Sequence, residues 1–143
     1  MPDYLHLTSL SKTEFKKVFN PLFLRLVLFS GILIALLFVC RNFVVAAFLS
    51  GAYAGAADYM GFQLLGDFFR SAGWCFGFVL IARQETKAFL GIEVGAQLVF
   101  AVLTYVGIRL FEFQGPMMAY AFENFITLVA LVIVVRRLKW NIQ

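Results

Sequence analysis

The sequence predicts an all-α integral membrane protein with four transmembrane helices and both termini on the cytoplasmic side. Three observations predict it: a shortage of charge, apolar runs of bilayer length, and a lopsided distribution of Lys and Arg between them. Of 143 residues, 62% are hydrophobic and only 14% charged, and the mean hydropathy is +0.88. Soluble domains carry about 25% charged residues. The chain therefore lacks the polar surface to cover a water-soluble globule, and a hydrocarbon solvent removes that difficulty.

Residues 1–21 read as an interfacial, cytoplasmic segment, and residues 22–143 as the transmembrane domain. Ser11 and Glu14 have capping-box spacing, so a short helix is expected from Lys12. Its Phe15, Val18, Phe19 and Leu22 recur at helical spacing opposite Lys12, Lys16 and Lys17. Asn20-Pro21 is expected to break or bend this helix before the membrane.

The first span is expected over 22–40, close to the ~20 residues that a bilayer core requires, with Arg25 snorkelling to the headgroups. Phe43–Leu49 is apolar but too short to cross, which places it flat at the outer interface or folded back. Residues 50–58 form a small-residue connection. The second span is expected over 59–82, followed by a polar turn at 83–87. The third covers 88–108 and the fourth 116–135, with Pro116 suited to a first helical turn. No cleaved signal peptide is expected, because the first apolar run starts late and no small-x-small site follows it.

Charge sets the orientation. Lys12, Lys16, Lys17, Arg83, Lys87, Arg136, Arg137 and Lys139 fall on one side, with Arg25 at its boundary, against only Arg41 and Arg109 on the other. The positive-inside rule puts the termini and the 83–87 turn in the cytoplasm, and Trp140 suits an interfacial anchor.

Within the spans, ionisable residues are costly and face protein or water. Gln63, Asp67 and Arg70 share one stripe of the second span with Trp74, and Gly66, Gly73 and Gly77 lie beside them as helix-packing residues. Asp67 and Arg70 are three apart: they can pair within the helix and fix packing, or line a cavity. Glu93, Gln97 and Thr104 mark one side of the third span. Tyr120, Glu123, Asn124 and Thr127 mark one side of the fourth. Three polar stripes suggest a shared wet cavity, against which stands plain interhelical hydrogen bonding, with Trp74 and Tyr120 as aromatic filler.

Other chemistry has little to draw on. The single histidine, His6, lies in the N-terminal segment, so neither a metal site nor His-based catalysis is expected. Cys40 and Cys75 lack CxxC spacing and read as small apolar packing residues at different depths. The basic residues flank apolar runs rather than forming a patch, which excludes nucleic acid. Neither an enzyme nor a cofactor is expected.

The block Gln63-Leu64-Leu65-Gly66-Asp67-Phe68-Phe69-Arg70, followed by Trp74 to Arg83, resembles the tenth transmembrane helix of O-antigen and enterobacterial-common-antigen flippases. These are polysaccharide exporters of the MOP (multidrug/oligosaccharidyl-lipid/polysaccharide) superfamily. Thr86-Lys87-Ala88-Phe89 with Glu93 is similar to the start of the next helix there. Gly115, Ala119 and Tyr120 resemble the opening of the last one, and Glu123 departs from the family pattern.

The resemblance covers nearly the whole chain but only the last four helices of a twelve-helix transporter. It implies a bacterial inner-membrane protein that moves undecaprenyl-pyrophosphate-linked oligosaccharide outward. Arg70 would attract the anion or line the cavity, and Asp67 would be its partner or an ion-coupling carboxylate. Membrane lipids and the absent N-terminal helices, or an oligomer, are the implied partners. Rival readings are a self-standing four-helix transporter, a GtrA-like helper of lipid-linked sugar transfer, or a non-transporting remnant.

Overall fold

The computed structural model describes residues 12–48 and 56–137. His6, Ser11, most of the 50–58 connection, Lys139 and Trp140 lie outside them. The described chain is helical apart from short turns. Helix α1 spans Lys12–Val39, α2 Arg41–Phe48, α3 Ala56–Ala82, α4 Thr86–Phe111 and α5 Gly115–Arg137, with a 3-10 turn Glu112–Gln114 before α5. Three continuous helical stretches are long and apolar enough to cross a membrane: Lys17–Val39, Ala57–Ala82 and Thr86–Arg137. The last, 52 residues long, contains both α4 and α5, which fold back on each other at the 3-10 turn.

The expected break at Asn20-Pro21 does not occur. α1 runs unbroken through Pro21. Proline removes one backbone donor and crowds the preceding turn, but an aromatic ladder carries the helix past it. Phe15 stacks on Phe19 at 5.0 Å and Phe19 on Phe23 at 5.7 Å, and Phe76 of α3 closes on Phe19 and Phe23 at 5.4 and 5.1 Å. Aromatic pairs of this kind add about 0.5–1.5 kcal/mol each beyond their area, which offsets part of the ~3 kcal/mol that an interior proline costs. The short apolar piece after Cys40 is the helix α2, with Val45 buried.

The α3–α4 turn is a Schellman motif. The Glu85 amide donates to the Leu80 carbonyl at 2.9 Å and the Gln84 amide to the Ile81 carbonyl at 3.0 Å. Gln84 sits at φ 61°, where glycine is the usual occupant. The Arg83 guanidinium lies 5.9 Å from the centre of the Phe15 ring. Burial lowers its pKa from the ordinary arginine value, and it stays charged.

Successive long helices run in alternating directions. α1 is antiparallel to α3, with Gly31 against Phe68 and Gly61 against Phe38. α3 and α5 run parallel, Gly66 meeting Tyr120 and Gly73 meeting Leu128 and Leu131. α4 and α5 are antiparallel: Gly107 meets Gly115 backbone to backbone, and Phe100 meets Tyr120. The lateral order is α1–α3–α5–α4, because α5 packs extensively on both α3 and α4 while those two touch little. The start of α1, the α3–α4 turn and the end of α5 therefore share one end of the bundle. The apolar core built on Phe15, Phe19, Val79, Leu80, Leu131 and Val135 lies there.

Candidate functional site: a polar seam around α5

Lipid tails are as apolar as leucine, so helices in a bilayer associate through close packing and polar contacts. α3 shows both. Gly66 admits the Tyr120 ring and the Ala121 backbone, and Gly73 lies against Leu128 and Leu131. A Cβ at Gly77 would come within 2.8 Å of the Phe89 ring. All three glycines thus stand at helix contacts.

Beside this stripe the polar residues of α3 reach α5. The Tyr120 hydroxyl donates to Asp67 Oδ1 at 2.8 Å. Arg70 Nη1 donates to Asn124 Oδ1 at 3.5 Å, a long contact. Asn124 Nδ2 donates to the Tyr120 carbonyl at 2.8 Å, which orients the amide oxygen towards Arg70. Asp67 and Arg70 do not pair with each other: each turns to its own acceptor or donor on α5. The glycines bring that helix close enough to compete with the in-helix partner.

α5 supplies the two most buried polar side chains of the described residues. Glu123 and Asn124 are each 2% exposed. Thr127 Oγ1 donates to Glu123 Oε1 at 2.8 Å, and the charges around Glu123 are Arg70 of α3 and Glu93 of α4. Glu93 joins Arg70, Trp74, Asn124 and Thr127 around a small partly open space of about 10 Å³, roughly the size of one water molecule.

The candidate residues divide accordingly. Asp67, Arg70, Glu93, Glu123 and Asn124 converge where α3, α4 and α5 meet. Gln63, one turn before Asp67, is half-buried and makes no hydrogen bond to the group among the described residues, and Gln97 is exposed on α4. Thr104 is half-buried, and its hydroxyl has no hydrogen-bond partner among the described residues. Tyr120, which reads as aromatic filler from sequence, is the hydroxyl that ties Asp67 to α5. Its one-turn spacing from Asn124 and its place on the polar side of α5 are the signals for that role.

One guanidinium, that of Arg70, thus lies near the carboxylates of Asp67, Glu93 and Glu123 while its hydrogen bond goes to Asn124. The group contains no paired nucleophile and base. Among the described residues no three His, Cys, Asp or Glu side chains gather to hold a metal ion, and Cys40 and Cys75 are free thiols. What such a seam can do is hold helices in register and offer charge and hydrogen bonds to a polar group within an apolar span. Comparison of the chain with protein-family profiles, with curated proteins and with solved structures finds no match in any of the three.

Proposed function

We propose that this chain is the C-terminal part of a bacterial inner-membrane flippase for undecaprenyl-pyrophosphate-linked oligosaccharide. The observation that carries the reading is the polar seam of Asp67, Arg70, Tyr120, Glu123 and Asn124. Asp67, Arg70 and Tyr120 fall in the stretches that resemble those transporters, whereas Glu123 departs from their pattern. Charged groups inside apolar spans are costly and mark substrate or ion paths, and a polar wall is what a pyrophosphate and sugar require on their way past hydrocarbon.

In this reading α1, α3, α4 and α5 are four membrane spans. The end holding the start of α1, the α3–α4 turn and the end of α5 faces the cytoplasm, because Lys17, Lys87, Arg136 and Arg137 gather there. Arg70 faces the anionic group, and the seam forms one wall of a cavity. Alternating access needs a second lobe moving against this one, supplied by N-terminal helices or by an oligomer. The exposed Gln97 favours a further helix against α4, since a bare amide facing lipid is unfavourable.

The test is complementation in a strain lacking its own flippase, with this chain expressed alone or with the upstream helices as a second polypeptide. Restoration of surface polysaccharide only by the pair is expected. Restoration by the chain alone would replace the partial-transporter reading with a homo-oligomeric one. Failure of both arms, with both polypeptides in the membrane, would sink the flippase assignment.

A further inference from the structure

The three carboxylates near Arg70 differ in what holds them. Asp67 accepts from the Tyr120 hydroxyl and Glu123 from the Thr127 hydroxyl, each at 2.8 Å. Glu93 is half-buried and makes neither a hydrogen bond nor an ion pair among the described residues. Arg70 is little better served. Of the several N–H donors of a guanidinium, one reaches Asn124 across 3.5 Å, and the rest have no partner among the described residues.

These two under-used groups border the same partly open space, Arg70 from α3 and Glu93 from α4. Its volume of about 10 Å³ admits one water molecule and no phosphate. An anion therefore reaches Arg70 there only where α3 and α4 part. Those helices touch little, and no side-chain hydrogen bond among the described residues joins them. An anion entering between them meets Arg70 with Glu93 as a like-charged neighbour, and like charges side by side weaken binding. Glu93 is also the one carboxylate of the three with no hydrogen bond to break before it turns towards the guanidinium.

We propose that Glu93 competes with the ligand anion for Arg70 and so sets how tightly that anion is held. The inference rests on the reading of Arg70 as the anion-facing group of a transporter. Passage requires a site that binds well enough to load and weakly enough to release. Arg70 supplies the first half of that requirement and Glu93 the second.

The test uses the full chain in phosphatidylcholine nanodiscs, titrated with farnesyl pyrophosphate and, as the uncharged control, farnesol. Binding is read by calorimetry. Trp74 borders the same space and is 53% exposed; with Trp140→Phe it is the sole tryptophan, and its emission reports where the probe sits. Glu93→Gln, nearly isosteric and with no hydrogen bond to lose, should tighten farnesyl pyrophosphate binding about tenfold and leave farnesol unchanged. Glu93→Asp keeps the charge and should bind as the unmodified chain does. Arg70→Gln should abolish the saturable binding, with or without Glu93→Gln. Where Glu93→Gln fails to reconstitute, Glu93→Ala makes the same comparison. Equal or weaker binding by the neutral variants, with the dependence on Arg70 intact, would overturn the competing role and leave the transporter reading standing. Binding indifferent to Arg70→Gln, or no binding by any variant, would overturn the anion-facing role of Arg70 and this inference with it.

Discussion

The Tyr120 hydroxyl donates a 2.8 Å hydrogen bond to the Asp67 carboxylate, linking α5 to α3 across 53 residues of sequence. A neutral interhelical hydrogen bond in a membrane protein averages about 0.6 kcal/mol, and a charged acceptor raises the value to roughly 1.5–3 kcal/mol. Tyr120→Phe should therefore destabilise the purified protein by about 1–2 kcal/mol while leaving its helix content unchanged. A double-mutant cycle with Asp67→Asn, read by chemical unfolding in detergent, should give a coupling above ~0.5 kcal/mol. Strict additivity of the two substitutions would show that the bond does not contribute.

The α4–α5 hairpin depends on the contact of Gly107 with Gly115, where a methyl on either residue meets the backbone of the other. Gly107→Ala or Gly115→Ala should each cost about 1–3 kcal/mol through overpacking. Gly91 and Gly95 of α4 face open space, so alanine there should be neutral or stabilising by up to ~1 kcal/mol. Thermal unfolding of the four variants in one detergent checks this, and equal effects at all four positions would refute the close approach.

Gln84 occupies the left-handed region at φ 61°, a conformation that costs a side-chain-bearing residue roughly 1–2 kcal/mol. Gln84→Gly should raise stability by a few tenths to about 1 kcal/mol, the gain being trimmed by glycine's greater freedom in the unfolded chain. Gln84→Val should lower it. A stabilising valine would contradict the Schellman geometry.

Much of this architecture is legible in the sequence, and the missing part has a physical cause. Apolar runs locate α3, α4 and α5 to within a few residues, because polar or small-residue connections bound them. The glycines of α3 mark its packing face, because close approach needs them. Lateral order is not written in hydropathy: facing lipid and facing a leucine look alike in composition. Nothing in the pattern places α5 between α3 and α4. The partner of Asp67 escapes for a related reason, since an i, i+3 arginine is visible in sequence while a tyrosine 53 residues away is not. The aromatic contacts that flank Pro21 in α1 include Phe76, a residue of another helix.

Orientation yields a labelling experiment. Thr86 and Gln114 are exposed at opposite ends of α4 and its following turn. In a background free of Cys40 and Cys75, Gln114→Cys should react with an impermeant maleimide in intact spheroplasts, and Thr86→Cys only after lysis. The reverse pattern would invert the proposed topology.

The central position of α5 bears on how the chain is made. Synthesis runs from N- to C-terminus, so α3 and α4 leave the ribosome before the helix that separates them exists. Until α5 arrives, Asp67 lacks the Tyr120 hydroxyl and Arg70 lacks the Asn124 amide. A charged group at helix centre costs an inserting segment about 2.5–3.5 kcal/mol, so in the membrane-spanning reading proposed above α3 begins as a poor candidate for release into lipid. In that reading its charges stay near water until α5 packs between α3 and α4. α5 acts as a keystone: it holds the only side-chain hydrogen-bond partners that the Asp67 and Arg70 side chains have among the described residues.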